Sequence, residues 1–278
     1  MDKTYYIYFS LCCLNYDKDI SVTAGLLISY GIVEFAKKLE KEIELNDDDY
    51  DKIENYIENN NLKKSIFPID DFIILSAIKL NISISSLHWT KKNHSEINSY
   101  IINFEERHGT DAKVKIHKDL LFEVRDKKFD ERLFRVYCGI VSIIGNKKFV
   151  RITNKRISYR MLGFKSEDIY YKENLNYILL TARQVTTCTD KLSEKNFFGK
   201  LTYRNRLTFY STAYRGKKFN EVLTSSIALN KEKKEVNRIL NQQLTSGVEK
   251  KRKEIREKLI SGLSINEVKC EMELMKAV

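Results

Sequence analysis

The stretch from Thr181 to Thr212 constrains the fold of this chain more than any other. Val185, Cys188 and Leu192 lie at i, i+3 and i+7, the spacing that places apolar side chains on one face of an α-helix. Downstream, apolar and polar residues alternate on both sides of Arg204-Asn205-Arg206, as they do in two β-strands joined by a turn. The stretch therefore predicts a short helix, capped by Thr181, that is followed at once by a β-hairpin.

Charge is unevenly distributed along the chain. Residues 1–130 hold 18 Lys and Arg against 23 Asp and Glu, whereas residues 131–218 hold 19 against 6. Residues 219–278 hold 12 against 9, and the whole chain carries a formal net charge of +11. Because the basic excess is concentrated in the segment that contains the predicted helix and hairpin, the sequence predicts a phosphate-binding face there.

Two further helices are predicted upstream, within the same basic segment. Asp130 is a suitable N-cap for a helix that ends at Gly145-Asn146, with apolar residues at intervals of four, four and three. A short strand at 149–152 follows. Thr153 is then the N-cap of a second helix, Asn154–Leu162, which Gly163 ends.

This order of elements resembles the winged helix-turn-helix superfamily over residues 130–215. The resemblance implies that the helix after Thr181 is a recognition helix and that the hairpin is a wing, both placed against duplex DNA. The connection at 164–179 is longer than in a compact helix-turn-helix. A rival assignment therefore makes Ser166–Glu173 the recognition helix, although its acidic residues would then face phosphates.

The resemblance assigns DNA contacts to three groups of residues. In the recognition helix, the long polar side chains suit base edges in the major groove, with Arg183, Gln184 and Thr187 as the main base readers. The full set in this helix is Arg183, Gln184, Thr186, Thr187 and Lys191. The wing set is Lys200, Arg204, Asn205 and Arg206, and the set for the DNA backbone is Arg151, Lys155, Arg156 and Arg160.

The acidic segment 1–128 is predicted to be an α+β domain. Helical periodicity runs from Val22 to Leu39, and an acidic helix is predicted at Asp47–Glu58. Alternating patterns at Ile82–Ile84 and Val114–Ile116 predict two short strands. The expected fold class is therefore α+β and mainly helical, with this segment acting either in dimerisation or as a divergent first winged helix.

Four histidines cluster in this first segment, close to several carboxylates. They are His88, His94, His108 and His117. No two have i, i+4 spacing, and neither an H-E-x-x-H nor an H-x-H motif occurs, so the pattern favours locally hydrogen-bonded histidines over a metal site. We therefore expect no metal, no cofactor and no catalytic residue, and a metal-dependent nuclease is the minor alternative.

The tail, residues 219–278, is predicted to be helical and highly charged. Glu232–Leu244 and Glu249–Ile260 carry thin apolar stripes, and Lys250–Lys253 is a basic run that either follows a phosphate backbone or forms a solvated helix face. The second of these stretches and a last helix after Gly262-Leu263-Ser264 are predicted to form a small helical hairpin that serves in dimerisation or partner binding.

Compartment is predicted from what the chain lacks. The five cysteines are scattered and include no Cys-x-x-Cys pair, which argues against a disulfide framework. The N-terminus lacks the features of a signal peptide, and no uninterrupted apolar run approaches the roughly 20 residues of a membrane span. A cytoplasmic protein without a membrane partner is expected.

The function predicted from these features is duplex-DNA binding without catalysis. The two-domain layout is most similar to plasmid or phage replication initiators, which often pair two winged-helix domains. A winged-helix transcriptional repressor and a phage-encoded inhibitor are the alternatives. The expected partners are double-stranded DNA, a second copy of the chain, and a host replication or defence protein.

Overall fold

The computed structural model describes residues 6–62, 69–173, 179–203, 207–229 and 257. The first strand, β1 (Tyr6–Ser10), pairs antiparallel with β2 (Lys113–His117), and Tyr8 lies opposite Lys115. A short 3-10 turn, Leu11–Asn15, follows β1. The strands alternate between buried and exposed residues, so one face of this two-stranded sheet packs inward and the other faces solvent.

Five helices make up the rest of the first half. They are α1 (Ile20–Glu42), α2 (Asp47–Asn60), α3 (Ile69–Leu80), α4 (Leu87–His108) and α5 (Lys118–Arg125). The predicted helices at 22–39 and 47–58 are confirmed as α1 and α2. Asn46 caps α2 in a reciprocal capping box with Asp49, which explains why an acidic and weakly apolar helix starts where it does.

Helix α1 is the centre of the first half, because it packs against α3, α4 and α5. It is also long and apolar enough to cross a membrane by length and composition, and 61% of its most apolar window is buried inside the protein. A helix that contacts partners on several sides is expected to be apolar nearly all round. Gly31 faces β1 so closely that a Cβ would lie 2.6 Å from Cγ2 of Ile7, so only glycine permits this contact.

Between residues 131 and 211, the described residues form four helices and three strands. They are α6 (Glu131–Ile144), β3 (Val150–Arg151), α7 (Asn154–Arg160), α8 (Glu167–Lys172), α9 (Ala182–Glu194), β4 (Gly199–Tyr203) and β5 (Leu207–Ser211). The strands form one antiparallel sheet in the order β3-β5-β4, with Leu201 opposite Phe209. Helix α6 packs against both α7 and α9. The helices predicted from the Asp130, Thr153 and Thr181 caps, and the hairpin, are confirmed.

The hydrophobic core continues across residue 128. Helix α6 packs against β2 and the 3-10 turn, and one cluster of buried side chains runs from Ile7 to Tyr210. Residues 1–219 form one compact unit, so the predicted boundary between 128 and 129 stays a prediction. The second unit, 220–278, is described only at 220–229, which are helical, and at Glu257. The predicted tail helices and the basic run Lys250–Lys253 lie outside the described residues, Glu257 apart.

The described residues are mainly helical with two small antiparallel sheets, which confirms the α+β class. The strand at Val114–Ile116 is confirmed as part of β2. The strand at Ile82–Ile84 is wrong, because the hydroxyl of Tyr56 takes the place of a neighbouring strand. It donates to the carbonyl oxygen of Ile82 at 2.8 Å and accepts from the backbone nitrogen of Ile84 at 2.9 Å.

Candidate nucleic-acid interface

Helix α9 presents one polar face to solvent. Its opposite face is anchored by Val185, Leu192 and Thr189, which are fully buried, as sequence periodicity predicted for the first two. Arg183, Thr187 and Lys191 are exposed and recur every four residues, so they line one edge of the helix. Three of the five predicted recognition-helix residues therefore form a single row.

Gln184 is committed to the start of α9. Its Oε1 accepts hydrogen bonds from the backbone nitrogen of Thr181 at 2.9 Å and from the Thr181 hydroxyl at 3.1 Å. The backbone nitrogen of Gln184 donates to Thr181 Oγ1 at 3.3 Å, which completes a capping box. The side chain that the sequence assigned to base reading thus serves first to cap its own helix.

Thr186 joins α9 to α7. Its hydroxyl donates to the carbonyl oxygen of Ala182 at 2.9 Å and accepts from Nδ2 of Asn154, the first residue of α7, at 3.0 Å. Nδ2 of Asn154 also donates to the carbonyl oxygen of Ala182 at 3.0 Å. The first turns of α7 and α9 are therefore tied together, and Thr186 is mainly a positioning residue.

A cationic cleft of about 250 Å³ lies between α9 and the N-terminal turn of α6. Arg132, Arg183 and Lys191 line it, and among the described residues the side chains of these three form no ion pair and no hydrogen bond. Asp130 also lines the cleft, but its carboxylate caps α6 by accepting from the backbone nitrogen of Leu133 at 2.8 Å. Burial raises the pKa of the Cys188 thiol, so this wall of the cleft is uncharged at neutral pH.

The predicted contacts to the DNA backbone divide into two kinds. Arg151 and Arg156 are exposed and make no ion pair within the described part of the chain. Lys155 is also exposed, but its ammonium lies 2.8 Å from Oε2 of Glu167 on α8. Arg151 and Arg156 are thus the cations of this set that stay free for an external phosphate.

The interpretation of Arg160 as a surface contact is wrong. This residue is 8% exposed, and its Nη1 donates inward to the hydroxyl of Ser142 on α6 at 3.5 Å. Burial lowers the pKa of the guanidinium. Helical periodicity alone placed Arg160 with Arg156, but α6 packs over this part of α7.

The β4–β5 hairpin is attached to α9 by Lys200. Its ammonium donates to Thr189 Oγ1 and to Asp190 Oδ1, both at 2.7 Å, and its side chain is only 12% exposed. Its charge is therefore already paired. The rest of the predicted wing set, Arg204, Asn205 and Arg206, lies outside the described residues.

In the rival recognition helix, α8, Asp168 is exposed, whereas the carboxylates of Glu167 and Glu173 are directed at the protein. Glu167 pairs with Lys155 on α7, as described above. Glu173, which caps the C-terminus of α8, accepts a hydrogen bond from Arg107 on α4 at 2.6 Å and also contacts His108. Helix α8 therefore bridges α7 and α4, which is a structural role.

The histidines are engaged with separate partners. His94 Nε2 lies 2.9 Å from Glu34 Oε1, and its ring stacks on Tyr30 with centroids 5.2 Å apart. His108 pairs with Glu173, and His117 caps α5. Across the described ranges, no three His, Cys, Asp or Glu residues are grouped as they are in a metal site.

Arg132 is the cleft residue that sequence reasoning missed. It follows the Asp130 cap by two residues, and nothing in that local pattern indicates that α9 lies opposite. No protein-family model, no curated protein and no solved structure matches this chain.

Proposed function

We propose that residues 129–218 form a winged-helix domain that binds duplex DNA and carries out no chemistry. The chain order α6, β3, α7, α9, β4, β5 supports this assignment, as does the sheet order β3-β5-β4. The added helix α8 lies between α7 and α9 in sequence, and ion pairs join this part of the chain to α7 and α4.

The observation that carries the proposal is the cationic cleft beside α9. The Arg and Lys side chains of this cleft form no ion pair with any described residue, and duplex DNA supplies one phosphate charge per roughly 1.7 Å of its axis. We assign Arg132 and Lys191, which line the same cleft, to phosphates beside α9. Arg183, with the side chain best suited to guanine, is assigned to a base edge in the major groove, together with Thr187.

Arg156 extends this surface. The Asn154 contacts place the first turn of α7 against that of α9, and Arg156 is exposed in the same turn of α7 as Asn154. We assign it to the backbone of the DNA strand that enters beside α9. Arg151, on the edge strand β3, is assigned to the flanking phosphates, with residues 204–206 as the predicted wing contact.

The biological role that we propose is that of a plasmid or phage replication initiator. Its two-part layout, with a mainly helical first half fused through a continuous core to the basic second half, supports an initiator. A repressor of the winged-helix type would occupy its site without opening the duplex. Permanganate footprinting on supercoiled DNA containing the bound site separates the two, because only an initiator exposes unpaired thymines.

The direct test is selection of bound sequences from random duplex DNA at two salt concentrations. We expect a repeated or palindromic site to be enriched, and Arg183→Ala to lose that preference while keeping salt-sensitive, non-specific affinity. Lys52→Ala on α2 is the matched control for overall charge, since Lys52 pairs with Asp48. Absence of duplex binding at moderate salt would overturn the proposal, and tight capture of a protein instead would favour an inhibitor.

A further inference from the structure

The solvent face of the β1–β2 sheet carries large aromatic side chains that the protein leaves uncovered. Tyr6 is 40% exposed and Tyr8 is 56% exposed, whereas Ile7 and Phe9 between and beyond them are buried. Across the ladder, Tyr8 pairs with Lys115 and Tyr6 pairs with His117. Two rings and a cation therefore share one outward face, and the buried residues fix the backbone beneath them.

The two rings are held in place by their neighbours on β2. The Lys115 ammonium lies 4.2 Å from the centroid of the Tyr6 ring and 5.5 Å from that of the Tyr8 ring. His117 meets Tyr6 edge-on, with centroids 5.6 Å apart. Since these contacts reduce the freedom of the rings before any ligand arrives, a flat ligand stacking on them loses little additional conformational entropy.

Tyr6, Tyr8 and Lys115 also form the wall shared by two grooves. One groove, of about 640 Å³, extends towards α6 and is lined there by Tyr137 and Phe197. The other, of about 670 Å³, extends towards α1, where Phe35 and Lys38 line it. Each groove is large enough for a planar heterocycle, and the row of rings connects them.

The charge around this face is favourable to an anion. No carboxylate pairs with Lys115 among the described residues. Lys113 precedes Lys115 by two residues and lies on the same face of β2, and its side chain is 56% exposed. Its ammonium lies 3.6 Å from Oε1 of Glu105 and donates to the hydroxyl of Ser10, so its charge is already paired. Glu34, which lines the second groove, forms an ion pair with the Lys37 ammonium at 2.8 Å.

We propose that the solvent face of the β1–β2 sheet, with Tyr6, Tyr8 and Lys115, is a binding site for single-stranded nucleic acid. Unpaired bases stack on the tyrosine rings, and Lys115 contacts the intervening phosphate. Duplex DNA does not satisfy this face, because its bases are stacked on one another and present only their edges. The site shares no residue with the cleft beside α9, so it stands whether or not the duplex-binding proposal holds.

The test measures binding of the full chain to fluorescein-labelled oligo-dT of roughly 20 nucleotides and to oligo-rU of the same length, by fluorescence anisotropy. Substituting Tyr8→Leu removes the more exposed ring, and we expect affinity for the oligonucleotide to fall roughly 5- to 50-fold. Tyr8→Phe keeps the ring and is expected to bind as the parent does. Tyr50→Leu, which removes a tyrosine that is 43% exposed on α2, is the matched control.

Lys115→Glu provides a second variant that leaves both rings in place, and we expect it to weaken oligonucleotide binding at low salt. Crosslinking to 5-iodouracil in the oligonucleotide should map to Tyr6 or Tyr8. If Tyr8→Leu lowers the affinity for oligo-dT and for oligo-rU equally, the bases are recognised by stacking. If the parent binds one oligonucleotide more tightly, its sugar is recognised as well. The proposal is overturned if the chain binds no oligonucleotide, or if Tyr8→Leu and Lys115→Glu both bind as the parent does.

The duplex measurement keeps the two proposals apart. Arg132→Ala and Lys191→Ala are expected to leave oligo-dT affinity unchanged, and Tyr8→Leu is expected to leave duplex affinity unchanged. If the chain binds the oligonucleotide but no duplex, the duplex-binding proposal fails and the single-strand site on the β1–β2 sheet stands. Duplex binding without oligonucleotide binding would do the reverse.

Discussion

Three hydrogen bonds join Gln184 and Thr181. Gln184 Oε1 accepts from the Thr181 backbone nitrogen at 2.9 Å and from the Thr181 hydroxyl at 3.1 Å, and the Gln184 backbone nitrogen donates to Thr181 Oγ1 at 3.3 Å. This reciprocal pair closes the first turn of α9 and sets the angle at which the helix leaves the preceding loop. The polar row of Arg183, Thr187 and Lys191 owes its position to that turn. Sequence reasoning treated Gln184 as a reader of bases, whereas its geometry makes it a positioning residue.

Gln184→Ala is therefore expected to act on stability before it acts on recognition. Loss of the cap should lower the free energy of unfolding by about 1 kcal/mol, as measured by urea denaturation. Gln184→Glu supplies the same acceptor at the helix N-terminus and should restore that stability. If Gln184→Glu is fully stable but abolishes duplex binding and site preference, the side chain reads DNA directly and the positioning role is insufficient.

Lys200 is predicted to stabilise the hairpin without contacting DNA through its charge. Lys200→Ala leaves Asp190 unpaired beside the buried hydroxyl of Thr189, so we expect a loss of about 1–2 kcal/mol in the free energy of unfolding. The duplex affinities of the parent and of Lys200→Ala are compared over a salt series. Because Asp190 already neutralises the ammonium, the slope of log affinity against log salt should stay the same, and a shallower slope would show that Lys200 contacts a phosphate.

Glu173 is predicted to make the attachment of α8 to α4 depend on pH. Burial opposes ionisation of this carboxyl, but hydrogen bonds from His108 and Arg107 outweigh that effect and lower its pKa from the ordinary value of 4.5. A group with a depressed folded pKa stabilises the protein above its unfolded pKa and loses that contribution as pH falls through the folded value. Glu173→Gln should therefore be less stable than the parent near neutral pH.

Urea midpoints measured across the acid range check this expectation. The difference between the parent and Glu173→Gln should shrink below a pH of about 4.5 and vanish at lower pH. Glu194→Gln is the control, since Glu194 is exposed and makes no ion pair within the described residues. A parent-to-variant difference that does not change with pH would mean that the carboxylate charge is not what holds α8.

The start of a helix and its buried face could be predicted from the sequence, because each depends on residues that are close together in the chain. Asp130, Thr153 and Thr181 each cap a helix by accepting from a backbone nitrogen three residues later, as residues of these types commonly do. The apolar spacing of Val185 and Leu192 gave the buried face of α9 directly. These features depend on neighbours in sequence.

Contacts between distant residues could not be predicted in this way. The hydrogen bonds of Tyr56 with Ile82 and Ile84 stand where a strand was predicted, and Asp190 pairs with Lys200, whose contact with DNA stays a prediction. Arg132 and Lys191 line the same cleft because α6 packs against α9. In each case a side chain is used by a tertiary partner that its own local pattern does not specify.

We propose that Arg132 and Lys191 beside α9 bind the phosphates of duplex DNA, and the salt dependence of duplex affinity tests this proposal most directly. The measurement compares the parent, the double variant Arg132→Ala/Lys191→Ala and the charge control Lys52→Ala on the selected site and on random duplex. We predict that the double variant binds both duplexes more weakly, with a log–log salt slope shallower by roughly 1.8, and that Lys52→Ala matches the parent. An unchanged slope in the double variant, or no duplex binding by the parent, would contradict the claim.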